Sequence, residues 1–305
     1  MPQSVLAVAA AIAMAVALLA GCSSSAQGAA PQGGEEVVPG TAPASTTSTG
    51  PPVVAERVLL LGDSSMVDAA LALGPTFTAA GAEVVVSDAA VGFGLTGVSL
   101  ARLPSPWREV WPGLVEEVQP DLTVVMMGSW DVPWVEEHGV DEYRELVAEA
   151  VDVLTVGGGR VLWLSMLPGE DHGVPVHFPP TAAYAGVPAL RPGQVAFVDV
   201  APALVGPSGG FPPTPVVDGE LVRLRKLDGW HLCQDGAIRI AELVSHAAAE
   251  LGLAAPAPDG WQLGAWWDDE AFTGSPACWP PGAWRDGGPD RTPPPGSTRT
   301  TASPS

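Results

Sequence analysis

The stretch "VLLLGDSS" ends an apolar run at Asp63 and Ser64, and in "DGWHLCQDG" Asp228 stands three residues before His231. A serine hydroxyl becomes a nucleophile when a neighbouring base takes its proton. The imidazole serves best when a carboxylate fixes its other nitrogen. An aspartate three residues from a histidine can reach that ring from the same turn. Neither feature suffices alone, because strand ends carry helix-capping serines and surface Asp-x-x-His pairs are common. The chemistry requires a fold that brings the two stretches together.

The pattern between them supplies one. From Arg57, "RVLLLG" reads as a strand, and "SMVDAALALGPTFTAAG" carries helical spacing that Gly74-Pro75 breaks or ends. The strands "AEVVVSD", "DLTVVMMG", "RVLWLSML" and "VAFVDV" follow in turn. Helices are expected at "WPGLVEEVQ", at "DEYRELVAEAVDVLTVGGG" with a glycine stop, and at "GAIRIAELVSHAAAELG". The strands are continuous apolar runs, so both of their faces are covered. Strand–helix alternation of this kind predicts an α/β fold, a parallel five-stranded sheet between helical layers. Asp63 and Ser64, the glycines of "VGFGLTG", and "GSWD" (128–131) then fall at strand ends on one rim of that sheet, where ligands bind in open α/β folds.

The 305 residues carry 13 basic and 34 acidic side chains, a formal charge of −21. Such a surface repels a phosphate backbone, so nucleic acid is excluded as a partner. The opening "MPQSVLAVAAAIAMAVALLAGCSSS" is apolar up to "LAGC", which resembles the lipobox of bacterial lipoproteins and makes Cys22 the expected lipidation site. No basic residue precedes the apolar core, and a plain transmembrane anchor is the alternative. Either way the remainder is expected outside the cytoplasm, lipid-anchored to the membrane or secreted. Residues 23–55 are rich in Ser, Thr, Pro, Gly and Ala and read as a disordered tether, as does the tail 286–305. One domain is expected over 56–285, its last part a Trp- and Pro-rich extension packed on the body. With Cys22 lipidated, Cys233 and Cys278 remain as a disulfide pair; two unrelated buried thiols are the alternative.

Three further motifs carry less. "GFGLTG" matches a dinucleotide fingerprint but follows the second strand, and Pro104 and Pro106 oppose a helix there. "GPSGG" (206–210) matches a nucleophile elbow but runs into "FPPTP" instead of a helix. His172 and His177 share a long loop with Glu170 and Asp171, and a loop is more often solvated than metal-binding.

Taken together, "GDSS", the glycine of the second block, "GSWD" and Asp-x-x-His resemble the SGNH (GDSL-type) hydrolases, serine esterases and acyltransferases on a flavodoxin-like α/β/α sandwich. The resemblance covers roughly residues 57–252. It implies Ser64 as nucleophile, His231 as base and Asp228 as its orienting carboxylate, with no metal or organic cofactor. Gly92 or Gly94 matches the second block's glycine, Gly92 being preferred, and the backbone N–H groups of Ser64 and Gly92 would hold the oxyanion. The third block departs: where the family has Gly-x-Asn-Asp, this chain has Gly128-Ser129-Trp130-Asp131, with tryptophan in place of the asparagine donor. Indole offers one N–H, so Trp130 serves the oxyanion if it points inward and is an apolar wall otherwise. The expected substrate is an acylated sugar or lipid ester of the cell envelope. A non-catalytic domain that stacks glycan on its tryptophans is the alternative.

Overall fold

The structure, a computed structural model, describes residues 53–97, 106–171, 174–176, 178–217, 220–253, 260–262, 264–273 and 278. The expectations for Cys22, the tether up to residue 52, the tail 286–305 and the pair His172 and His177 lie outside the described residues.

In chain order the elements are β1 (Arg57–Gly62), α1 (Ser64–Ala79), β2 (Val84–Ala89), α2 (Trp107–Val118), β3 (Leu122–Met126), α3 (Val132–His138), α4 (Val140–Leu154) and β4 (Arg160–Leu164). Then come the hairpin β5 (Gly169–Asp171) and β6 (Val174–Val176), α5 (Pro179–Tyr184), α6 (Val187–Leu190), β7 (Val195–Val198) and α7 (Ala201–Leu204). A short hairpin, β8 (Val216–Val217) and β9 (Glu220–Leu221), precedes α8 (Gln234–Glu250) and α9 (Glu270–Thr273).

Five strands form the main sheet in the order β2-β1-β3-β4-β7, all neighbours parallel. The strand pleat divides the core in two. Val58 and Leu60 of β1 face one layer with α1 and α8, while Leu59 and Leu61 face the other with α2 and α4. The chain steps from β1 outward to β2, then returns to place β3 on β1's other side. The β1/β3 boundary is therefore the topological switch point, and its carboxyl end is where such sheets bind ligands. Ser64 follows β1 after the single residue Asp63, and the Gly128–Asp131 turn follows β3.

Two differences from the sequence reading have physical causes. Helix α1 runs through Gly74-Pro75 instead of stopping there. A proline inside a helix forfeits one backbone bond at a cost of about 3 kcal/mol. Burial of Leu73, Thr76 and Phe77 offsets it, and the Thr76 and Thr78 hydroxyls donate to the carbonyls of Ala72 and Gly74. Helix α2 begins at Trp107, a turn earlier than its periodicity indicated, because Trp107 and Trp111 both bury their rings in the second core layer. Phe272 and Cys278 are buried, and Cys233 and Cys278 form the expected disulfide.

Candidate active site

Ser64 is the first residue of α1, so its amide lies at a helix N-terminus, where orphan N–H groups favour negative charge. Gly62 lets β1 close on β3: a Cβ there would collide with the Met126 carbonyl oxygen. The intervening Asp63 is fully buried and does two things. Its Oδ1 caps α1 by accepting from the Ser65 amide at 2.8 Å. Its Oδ2 accepts from the amides of Gly128 and Ser129 at 3.1 and 3.2 Å, tying the nucleophile's turn to the third block. Burial raises its carboxyl above the ordinary value of 3.8, against the opposing hydrogen bonds of Ser65 and Ser129.

Asp131 performs a parallel task for the second block. Its carboxylate, buried, accepts from the Leu95 amide (3.0 Å), the Thr96 amide (2.9 Å), the Thr96 hydroxyl (2.6 Å) and the Tyr143 hydroxyl (2.7 Å). The Tyr184 hydroxyl lies 2.9 Å from that of Tyr143, and burial holds both phenols well above their usual range. Gly94 passes so close to Asp131 that a Cβ would overlap the carboxylate, whereas Gly92 turns the chain at φ 85°. Trp130 is half-buried, and its indole Nε1 is covered and has no hydrogen-bond partner among the described residues.

His231 arrives from the far end of the chain. Residues 224–233 fold back on themselves, with the Cys233 amide donating to the Leu224 carbonyl (3.0 Å) and the Lys226 amide to that of His231 (2.8 Å). Asp228 and His231 sit at the tip. His231 Nε2 lies 2.9 Å from Ser64 Oγ, and its Nδ1 lies 2.6 Å from Asp228 Oδ2. Asp228 Oδ1 also accepts from the amides of Trp230 and His231 (2.9 and 3.1 Å). Partial burial opposes ionisation of Asp228, but these hydrogen bonds outweigh it and hold its carboxyl below the ordinary range. A hydroxyl, an imidazole and an ionised carboxylate thus stand in a hydrogen-bonded row, the arrangement that relays a proton away from a serine.

Below the tip, Lys226 Nζ contacts Asp68 Oδ1 on α1 at 2.7 Å, both side chains nearly sealed from solvent. Asp68 Oδ2 accepts from the Leu232 amide at 3.1 Å. Burial raises Asp68, with Lys226 the chief opposing influence. Beside His231, Trp230 is 45% exposed, contacts Phe178 at 5.5 Å between ring centroids, and lies on the Gly169 backbone where a Cβ would collide with it.

Sequence reasoning singled out Ser64, Asp228 and His231, and the fold brings them together. It missed the roles of Asp63, Asp131, Asp68, Lys226 and Trp230. Asp63 carried a signal, as an N-cap residue ahead of a helix; the Asp68–Lys226 contact carried none. Two cavities lie elsewhere. One of about 570 Å³, on the opposite rim, is lined by residues such as Val115, Gln119, Asp121, Val156 and Arg160. The other, about 640 Å³, runs along α1 and β2 beside Trp261. Neither is lined by Ser64, Asp228 or His231. No group of metal-binding side chains occurs among the described residues, nor is any helix there long and apolar enough to cross a membrane.

A family described as "Protein of unknown function (DUF459)" matches residues 57–247. No curated protein matches the chain. Solved structures similar to it include the lipopolysaccharide acetyltransferase periplasmic domain of Salmonella ser. Paratyphi A, at 13% identity over 64% of this chain and 84% of that one, with a TM-score of 0.48. A carbohydrate acetylesterase family member from Sinorhizobium meliloti matches at 20% identity over 65% and 100% of the two chains, TM-score 0.44. A carbohydrate esterase family 3 protein from Talaromyces cellulolyticus matches at 16% over 64% and 97%, TM-score 0.44. Likenesses this loose carry no argument about the reaction.

Proposed function

For this chain, which belongs to the DUF459 family, we propose the activity of an exported serine esterase or acyltransferase that works through an acyl-enzyme. The observation that carries the reading is the row Ser64 Oγ, His231 Nε2 at 2.9 Å, His231 Nδ1 and Asp228 Oδ2 at 2.6 Å. The Ser64 oxygen attacks an ester carbonyl while its proton passes to His231 Nε2. Asp228 accepts the Nδ1 proton's hydrogen bond, fixing the tautomer and steadying the imidazolium. The resulting oxyanion is held by the backbone N–H groups of Ser64 and Gly92, the first favoured by its helix N-terminus. Trp130, whose covered N–H offers a substrate oxygen no approach, is assigned as a wall of the site. Collapse breaks the ester C–O bond, and the departing alkoxide takes the proton from Nε2. A water or sugar hydroxyl then gives its proton to His231 and attacks the acyl-Ser64 carbonyl; the acyl–Oγ bond breaks, Ser64 takes the proton back from Nε2, and acid or a new ester is released.

The substrate we assign is an acylated glycan of the cell envelope. Trp230, next to the base, rests against Gly169 and is 45% exposed, an indole suited to the C–H face of a sugar ring. The charge of −21 disfavours anionic lipid substrates. Cys22 would hold the domain to the membrane through its lipid and the 23–55 tether.

The test is turnover of short-chain p-nitrophenyl esters with and without sugar acceptors, compared with acetylated glycosides. Trp230→Ala should raise KM for the glycosides about tenfold and leave the small esters nearly unchanged. Absence of turnover on every ester, together with glycan binding, would favour a non-catalytic binding domain.

A further inference from the structure

Helix α1 carries more than the serine. Asp68 lies one turn beyond Ser64, on the same helix face, and is 2% exposed. One carboxylate oxygen meets the Lys226 ammonium at 2.7 Å and the other accepts the Leu232 amide at 3.1 Å. Both partners belong to the strands of the His231 hairpin: the Lys226 amide donates to the His231 carbonyl, and Leu232 follows His231 directly. Asp68 therefore grips the hairpin on both sides of the base, from the helix that presents the nucleophile.

A buried ion pair is a poor device for stability alone, because an apolar pair of similar volume often does as well or better. Its advantage is direction: two carboxylate oxygens fix two donors at defined angles. The tip itself is loosely covered, the His231 side chain being 30% exposed and that of Asp228 26%. Something beneath must hold it.

Resting on the reading of Ser64 as nucleophile and His231 as base, we infer that the Asp68–Lys226 pair positions His231 against Ser64 and balances the charge around its imidazole. Among the described residues, the charged groups disposed about His231 are Asp228 and Lys226 on its own hairpin and Asp68 on α1. Arg225, also on the hairpin, turns to the Gly229 carbonyl and the Phe211 ring. Asp68 is close enough to His231 for the imidazolium to favour its ionisation. The pair as a whole is neutral, so removing either member leaves a charge of known sign near the base.

The experiment uses purified exported protein, with kcat normalised to the serine titrated by a fluorophosphonate. Asp68→Leu with Lys226→Met replaces the pair by apolar groups of similar shape. The double variant should stay folded, its Tm lowered by several degrees for the orphaned Leu232 amide, yet lose tenfold or more in kcat per titrated serine with little change in KM. Asp68→Asn leaves Lys226 unbalanced and should move the acid limb of kcat/KM to lower pH by roughly half a unit or more. Lys226→Met alone leaves Asp68 and should move it the other way. A folded double variant with wild-type kcat per titrated serine would overturn the positioning role, and single variants whose acid limbs move together or not at all would overturn the charge balance. If the single variants do not fold, the double variant decides. Should the wild type itself fail to react with the fluorophosphonate, it is the serine-enzyme reading that fails, a result distinct from any of these.

Discussion

The two halves of the candidate site are built in opposite ways. The nucleophile's half is set by backbone: Ser64 leaves β1 at the glycine that touches β3, and the buried Asp63 accepts three amides around it. The base's half is set by side chains, an exposed hairpin tip held by an ion pair below and a disulfide two residues beyond His231. A backbone-defined half tolerates loss of a neighbour, while a side-chain-defined half depends on each contact. Variants on the base side should therefore alter rate and geometry most.

The largest effect is expected from Asp228→Asn. The amide cannot hold the same tautomer, and kcat should fall about 10³-fold or more with Tm nearly unchanged. Kinetics alongside a melt check this. A mild loss would place the orienting carboxylate elsewhere and break the contrast between the halves.

Next comes the crosslink. Cys233 opens the turn into α8, and its bond to Cys278 spans 45 residues. Replacing both cysteines by serine should cost about 4 kcal/mol of stability, which is about 10 °C in Tm. Labelling of Ser64 in the folded fraction should slow, since the bond secures the hairpin that presents His231.

Acidification separates the halves differently. Asp63 and Asp68 are raised by burial, so the stability linked to their protonation is full below 3.8 and is lost as pH rises through their folded values. Asp228 is lowered, so its contribution holds above 3.8 and is lost only as pH falls through its still lower folded value. Lessened self-repulsion among the acidic side chains acts in the same direction as the first pair. The Tm at pH 5 should thus equal or exceed that at pH 7.5. A Tm that falls on going from pH 7.5 to 5 would contradict the assignment.

How far these features could be read in the sequence follows the same division. β1, the start of α1 and the final helix were legible because apolar runs and capping residues are local signals. The triad was legible because its three residue types sit at strand and helix boundaries in a known order. The grip of Asp68 on Lys226 joins residues 158 apart and leaves no periodicity behind. The short helices α3, α5, α6 and α7 are not among the helices expected from the sequence, although each carries a proline in its first turn, a start signal in its own right. Trp130 was legible only as a departure, since its covering depends on tertiary packing.

The smallest effect belongs to Trp130. Its buried N–H lacks an acceptor among the described residues, a state that typically costs about 1–3 kcal/mol. Trp130→Phe removes that group, so kcat should stay within about twofold of wild type and Tm should hold or rise. A fall of 10²-fold in kcat at constant KM would instead make the indole an oxyanion donor.

The central claim, that Ser64 is a nucleophile activated by His231, is tested most directly by mapping the covalent adduct of a fluorophosphonate probe. Peptide mass spectrometry should place the adduct on Ser64, with labelling abolished by Ser64→Ala and by His231→Ala and retained by Ser65→Ala. Labelling that persists in Ser64→Ala, or an adduct on any other residue, would contradict the account.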